Sequence, residues 1–450
     1  MKLVIVGAGK IGATLVEKLS KEEHDIVIVD KDAKIVEQVV NRYDVMGVCG
    51  GGADRMILEE AGVADADFVI ACTSRDELNI LCCMLAKKIG AAHTIARVRD
   101  PEYFMEMEYM KGELDIDMWF NPERRTAQEI AEILSFPSAI NVETFADGAA
   151  VMIETKVKKD NPMIGKTVMD LNRDLKVSIL FSAVIRENKV YIPRGDFVIQ
   201  EGDVIHITAS EKGITDFSKK TQTFRRRARS VFIIGGGKIA YYLAKELIER
   251  KVSVKIIEKD EARCEWLSEE LPEATILHGD GTDHEVLDEE GIDRCNAVVT
   301  LTGMDEENVI VSLYATRKKV AKVITKVDRP TIGQMVSHLG LDSVLSPRTV
   351  IASSVVRFVR EIANEGKARI NQLYKIHDKV EALEFPVTSS FGYKGVPLKE
   401  LNVKKNFLVN GIVRDGEFII PTGDTAFMEG DKVLVVTTEK NVSELEDIIR

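Results

Sequence analysis

A short apolar run leads into a glycine-rich turn twice in this chain. Lys2-Leu3-Val4-Ile5-Val6 precedes Gly7-Ala8-Gly9-Lys10-Ile11-Gly12, and Val231-Phe232-Ile233-Ile234 precedes Gly235-Gly236-Gly237-Lys238-Ile239-Ala240. Gly7 and Gly235 are 228 residues apart, and so are Asp30 and Glu258, the acids that close the next apolar run in each half. In a strand–turn–helix unit the three small positions have separate tasks. The first lets the chain turn tightly, the second clears the backbone for a pyrophosphate, and the third lets the helix pack on the sheet. The helix N-terminus then offers free N–H groups and the positive end of its dipole to phosphates. Asp30 and Glu258 are placed to take both hydroxyls of an adenosine ribose. A carboxylate there repels a 2′-phosphate, which favours NAD(H), ATP or ADP over NADP(H).

The surrounding pattern fits such a unit. Leu3 to Val6, Ile26 to Val29, Val45 to Val48, Phe68 to Ala71 and Thr94 to Val98 read as strands buried on both faces. Helical stretches such as Ile11 to Leu19 and Leu78 to Ile89 lie between them. That alternation predicts an α/β fold with a Rossmann-like, doubly wound parallel sheet. Asn121-Pro122 starts a further helix with Ala127, Ile130, Ala131 and Leu134 on one face, suited to a connector or a dimer-packing element. After Phe136-Pro137 the chain turns strand-rich with frequent turn signals, as a small α+β domain would. The basic run Arg225-Arg226-Arg227-Ala228-Arg229 reads as a linker, and the programme then restarts.

The repeat covers more than the glycines. Asp54 pairs with Asp283, Gly62 with Gly291, Thr73 with Thr302 and Arg97 with Lys326 at a shift of 229; Arg186 pairs with Arg414, and Gly202-Asp203 with Gly430-Asp431, at 228. The chain is thus a tandem duplication. Its expected domains are 1–136 (Rossmann-like), 137–220 (small α+β), 221–230 (linker), 231–365 (Rossmann-like) and 366–450 (small α+β). Thr73-Ser74 and Thr302 follow the fourth strands, at the sheet edge where ligands of this fold lie, and Arg97 and Lys326 end the fifth strands, where a cation meets a phosphate. Asp54 and Asp283 either touch ligand or cap the next helix.

Catalytic chemistry is harder to find. The seven histidines, His24, His93, His206, His278, His284, His338 and His377, are scattered, and the six cysteines show no metal-site spacing. The cluster Tyr103, Phe104, Met105, Met107, Tyr109, Met110 reads as core or dimer interface. A formal net charge of −12 argues against a general nucleic-acid binder. No run of 18 apolar residues exists to span a bilayer, and the N-terminus lacks the form of a signal peptide. Two nucleotide sites without a catalytic constellation suggest a cytoplasmic sensor. An NAD-dependent oxidoreductase with unrecognised catalytic residues stays open as the alternative.

The pattern Gly7-Ala8-Gly9-Lys10-Ile11-Gly12, Asp30, Gly51-Gly52-Ala53-Asp54 and Ala96-Arg97-Val98, followed by the small domain with Gly202-Asp203, resembles the RCK (KTN) regulators of potassium conductance. The tandem arrangement over nearly the whole chain is similar to the TrkA family, cytosolic subunits of bacterial Trk potassium-uptake systems. The resemblance implies a non-enzymatic regulatory subunit, peripheral on the cytoplasmic face of the plasma membrane and docked on a Trk-type potassium-translocating membrane protein. It further implies NAD(H), ATP or ADP in the Rossmann-like domains and a homodimer or homotetramer. A regulator of another cation transporter would share the same physics. The halves differ at two places: Ala240 replaces the third glycine, and Asp328 stands where the first half has Arg99. These differences predict that the two sites are not equivalent.

Overall fold

The computed structural model describes the chain except residues 23, 111, 137–138, 188, 222–227, 338, 342, 364–369, 378–379, 440–441, 443 and 450. Most of the expected arginine linker therefore lies outside the described residues. In chain order the strands are β1 (Lys2–Val6), β2 (Asp25–Asp30), β3 (Met46–Cys49), β4 (Phe68–Ala71), β5 (His93–Arg97) and β6 (Met118–Phe120). There follow β7 (Asn141–Phe145), β8 (Ala150–Lys156), β9 (Leu180–Arg186), β10 (Lys189–Tyr191) and β11 (Val204–Ala209). The second half repeats the series with β12 (Ser230–Ile234), β13 (Ser253–Glu258), β14 (Thr275–His278), β15 (Ala297–Thr300), β16 (Lys322–Lys326) and β17 (Ser343–Leu345). It ends with β18 (Gln372–His377), β19 (Val380–Pro386), β20 (Phe407–Arg414), β21 (Glu417–Ile419) and β22 (Lys432–Thr437).

The chain divides into two compact units that cut across the tandem order. One unit joins 1–131 with 229–359, and the other joins 132–228 with 360–450. The first unit holds two parallel sheets of order β3-β2-β1-β4-β5-β6 and β14-β13-β12-β15-β16-β17. Both are Rossmann orders, with the switch point between β1 and β4 and between β12 and β15. Leu3 to Val6 and Phe68 to Ala71 are fully buried, because helices cover both faces of the sheet. The short sixth strands β6 and β17 went unread in the sequence: three residues carry no usable periodicity. Within this unit the two Rossmann-like modules touch. The Lys18 ammonium donates to Ser353 Oγ at 2.7 Å, and the Asn121 amide donates to the Tyr242 hydroxyl at 3.1 Å. In effect the chain pairs its own two Rossmann-like modules.

The second unit holds two antiparallel sheets, β10-β9-β11-β8-β7 and β18-β19-β22-β20-β21, which have the same strand order when read from opposite edges. Their facing strands share one core of Phe145, Met152 and Ala183 with Ala382, Leu434 and Val436. The repeated Gly-Asp signals resolve into a structural device here. Arg186 grips the fully buried Asp203 with two bonds of 2.7 Å, and Arg414 grips Asp431 with two of 2.8 Å. The same carboxylates accept the N–H of Gln200 and Met428. A buried charge needs this degree of satisfaction.

Candidate functional site

The glycines of one fingerprint answer to different causes. Gly7 has φ +104°, a region that penalises any side chain, and an added Cβ would lie 2.9 Å from the Thr73 nitrogen. Gly12 has an ordinary helical backbone, but a Cβ there would lie 1.9 Å from the Gly7 carbonyl oxygen. Gly9 is otherwise. It is the helix N-cap with φ −66° and ψ −170°, which any residue adopts, and a Cβ would meet nothing within 4 Å. Gly237 repeats this with φ −65°, ψ −174° and nothing within 4 Å. No close contact in the folded protein excludes a side chain at 9 or 237, and the bare backbone at each N-cap leaves the helix start open to an approaching group.

The acids at the ends of β2 and β13 hold the loops in shape. Asp30 accepts the N–H of Ala8 at 2.7 Å and of Asp32 at 3.0 Å. Glu258 accepts from Gly236 at 2.6 Å, from Lys259 at 2.8 Å and from Asp260 at 3.0 Å. A carboxylate has about four acceptor positions, so capacity for ribose hydroxyls is left on each. Arg263 adds a further brace to the second loop, donating from Nε to the Gly236 carbonyl at 2.7 Å while its guanidinium lies 4.0 Å over Trp266. The matching first-half positions, Ile35 and Gln38, carry no such pair.

A cavity of about 680 Å³ opens over the first loop. Gly7, Gly9, Lys10, Ile11, Asp30, Thr73, Ser74 and Arg97 line it, as the sequence expects. The second module contributes the opposite wall through Ile239, Lys326, Asp328, Pro347 and Arg348. Tandem counterparts, Ile11 with Ile239 and Arg97 with Lys326, thus face one shared space. Its wall carries six cations (Lys10, Lys31, Arg75, Arg97, Lys326, Arg348) against three carboxylates (Asp30, Glu123, Asp328). In a chain of net charge −12 this local excess selects anions. Burial, with Arg99 nearby, pulls the Arg97 guanidinium below its ordinary pKa. The Nε atoms of Arg97 and Arg348 are buried without a hydrogen-bond partner. A phosphate-bearing ligand fits this donor set: a bare backbone at the helix start and a positive wall.

Other expected residues fall elsewhere. Ala8 and Gly12 are buried behind the first loop, where they shape it. Gly235, Gly236, Gly237, Lys238, Glu258 and Thr302 gather around the second loop, and Lys326 Nζ donates to the Thr302 carbonyl at 3.0 Å. Asp54 and Asp283 do not face the cavity: each is a helix N-cap, accepting from Met56 and Glu285 at 2.9 Å. Of the aromatic and methionine cluster, Met107 is buried, whereas Tyr103, Met105 and Tyr109 are exposed.

The sequence reading missed Lys31, Arg75, Glu123 and Arg348, whose place depends on chain packing. It also missed Asn79 and Asn308. Asn79 is fully buried; it accepts from the Thr73 N–H at 2.8 Å and donates to the Arg97 carbonyl at 2.9 Å, tying the fourth and fifth strands' ends together. Asn308 does the same for Thr302 and Lys326 at 2.9 and 3.1 Å. Their shared 229-residue offset was the available signal.

The TrkA-N domain family matches residues 3–122 and 231–347, and the TrkA-C domain family matches 152–222 and 382–450. A protein from Archaeoglobus fulgidus named as a Trk system potassium uptake protein TrkA homolog is 34% identical, with the whole of both chains covered. A protein from Halomonas elongata named Trk system potassium uptake protein TrkA is 32% identical over 98% of this chain and 96% of its own. Among solved structures, the GsuK channel superposes with a TM-score of 0.65 at 18% identity, covering 98% of this chain and 77% of that one. The GsuK channel bound to NAD gives 0.64 over the same shares. These structural likenesses support the fold.

Proposed function

The chain belongs to the TrkA family, and from that premise we propose that it is the nucleotide-binding regulatory subunit of a Trk-type potassium-uptake membrane protein. The observation that carries this reading is the cation-lined cavity over a glycine loop whose Gly9 leaves open space at the helix start. The names of the relatives supply potassium uptake. The solved GsuK structures bound to NAD and to ADP support adenosine nucleotides as the ligands. Gly7, Ala8, Gly9, Lys10, Ile11 and Gly12 would cradle the phosphates of NAD(H), ADP or ATP, Asp30 would hold the ribose, and Thr73, Ser74 and Arg97 would close the far side. The second loop, with Glu258, Thr302 and Lys326, is the corresponding site of the other module.

The role is regulatory and not enzymatic. Nucleotide binding shifts the packing of the paired modules, and that shift is transmitted to the membrane partner on its cytoplasmic face. No helix among the described residues is long and apolar enough to cross a membrane. A ligand moves such an equilibrium only through its preference for one state; tenfold preference is worth about 1.4 kcal/mol. A thermal-shift panel of NAD, NADH, ADP and ATP on wild type, Asp30→Ala and Glu258→Ala tests the assignment. Stabilisation that survives both substitutions unchanged would refute it.

A further inference from the structure

Asp328 stands where the first module has Arg99, and its carboxylate reaches the other module's loop. Asp328 Oδ2 lies 3.5 Å from Lys10 Nζ, and both residues line the first loop's cavity. Lys10 is the first helical residue after Gly9, beside the free N–H groups that a phosphate would meet. Lys326 Nζ lies 3.8 Å from the other oxygen of Asp328, so the carboxylate sits between two lysines, one from each module. Its position is built rather than incidental. The Asp328 N–H is pinned at 2.7 Å by Asp305, a buried acid at the start of its helix that also accepts from the Arg329 N–H.

The first module pins the matching backbone in the same way, Arg99 to Asp76 at 2.7 Å. There, however, the side chain is a cation that turns back on Asp76 and the Ser74 carbonyl. The tandem equivalents of the oppositely charged pair Lys10 and Asp328 are therefore two cations, Lys238 and Arg99. Those two residues cannot form an ion pair of this kind.

We propose that Asp328 is a ligand-displaced latch: its carboxylate holds Lys10 across the module boundary, and a nucleotide phosphate at the first loop takes Lys10 away from it. The proposal rests on the nucleotide reading of that loop given above. Phosphate and carboxylate compete for one ammonium, so occupancy of the first site and closure of this contact oppose each other. The opposition is reciprocal: what opens the contact favours the ligand, and the ligand favours opening. Among the described residues no carboxylate pairs with Lys238 at the second loop, which makes the first site the one whose filling is felt directly by the other module.

Calorimetric titration of ADP and of NAD into the full chain tests this, using wild type, Asp328→Asn, Lys10→Ala and the double variant, with melting curves to show that each is folded. Asp328→Asn is expected to bind about three- to fivefold tighter, the scale of an exposed pair. That gain should vanish in the Lys10→Ala background, because the competition is for Lys10. Unchanged or weaker binding by Asp328→Asn, or an equal gain with Lys10 absent, overturns the latch while leaving the nucleotide site standing. Folded wild type that binds neither nucleotide overturns the site and the latch together.

Discussion

Gly9→Ala and Gly12→Ala are chemically the same change three residues apart, and the structure assigns them opposite outcomes. At Gly12 the new methyl would lie 1.9 Å from the Gly7 carbonyl oxygen, a contact with backbone that no rotamer relieves. The loop or the helix must move, at a cost of about 1–3 kcal/mol or more. At Gly9 the methyl meets nothing within 4 Å and the backbone angles suit alanine. Losing glycine as a helix N-cap costs roughly 0.5–1 kcal/mol, while the stiffer unfolded chain returns about 0.4–1 kcal/mol. The net change in stability is close to zero. Binding should respond in the other sense. The methyl at position 9 stands where a phosphate would approach the helix N-terminus, and losing charge-assisted hydrogen bonds of about 1.5–3 kcal/mol corresponds to roughly 10- to 100-fold. Differential scanning calorimetry and ligand titration on both variants give the test. Gly9→Ala with wild-type affinity for ADP and NAD would refute the reasoning, as would a Gly9→Ala protein destabilised as severely as Gly12→Ala.

Further predictions follow from individual contacts. Asp30→Ala should weaken adenosine nucleotides at the first site roughly 10- to 100-fold by calorimetry, since it removes a ribose acceptor and frees the Ala8 N–H it holds. Asp203→Ala should destabilise the small-domain unit by about 1.5–3 kcal/mol in urea unfolding, because it removes the charge-assisted bonds from Arg186 and leaves the Gln200 N–H it accepts without its partner. His206 is fully buried, neither ring nitrogen has a hydrogen-bond partner, and burial pushes its pKa down to about 3. It is therefore neutral in the fold and cationic once unfolded below about pH 6.5. Its contribution is fully present above that pH and lost as pH falls, by up to about 1.4 kcal/mol per unit. His206→Leu, which copies the tandem counterpart Leu434, should flatten the stability–pH curve between pH 6 and 4.

The Rossmann architecture was legible because its signals are local. Buried parallel strands such as β4 read as continuous apolar runs, and Phe68 to Ala71 coincide with the strand observed. The repeat made the rest readable by comparison of the halves. Pairing in space was not legible. Nothing in the order of domains says that modules 228 residues apart pack against each other, so the contribution of Arg348 and Asp328 to the first cavity was hidden. Side-chain role was equally hidden where one residue type serves two purposes. Asp54 and Asp30 are both acids after strands of one sheet, yet the first caps a helix and the second braces the glycine loop.

The central claim is that this chain makes potassium uptake depend on nucleotide. Its most direct test is potassium flux into liposomes carrying a Trk-type membrane protein, measured with and without the chain and with NAD, ADP or ATP present. Flux should change with nucleotide only when the chain is present, and Gly9→Ala in the first module should blunt that dependence. Flux that is the same with and without the chain, at every nucleotide concentration, would contradict the account.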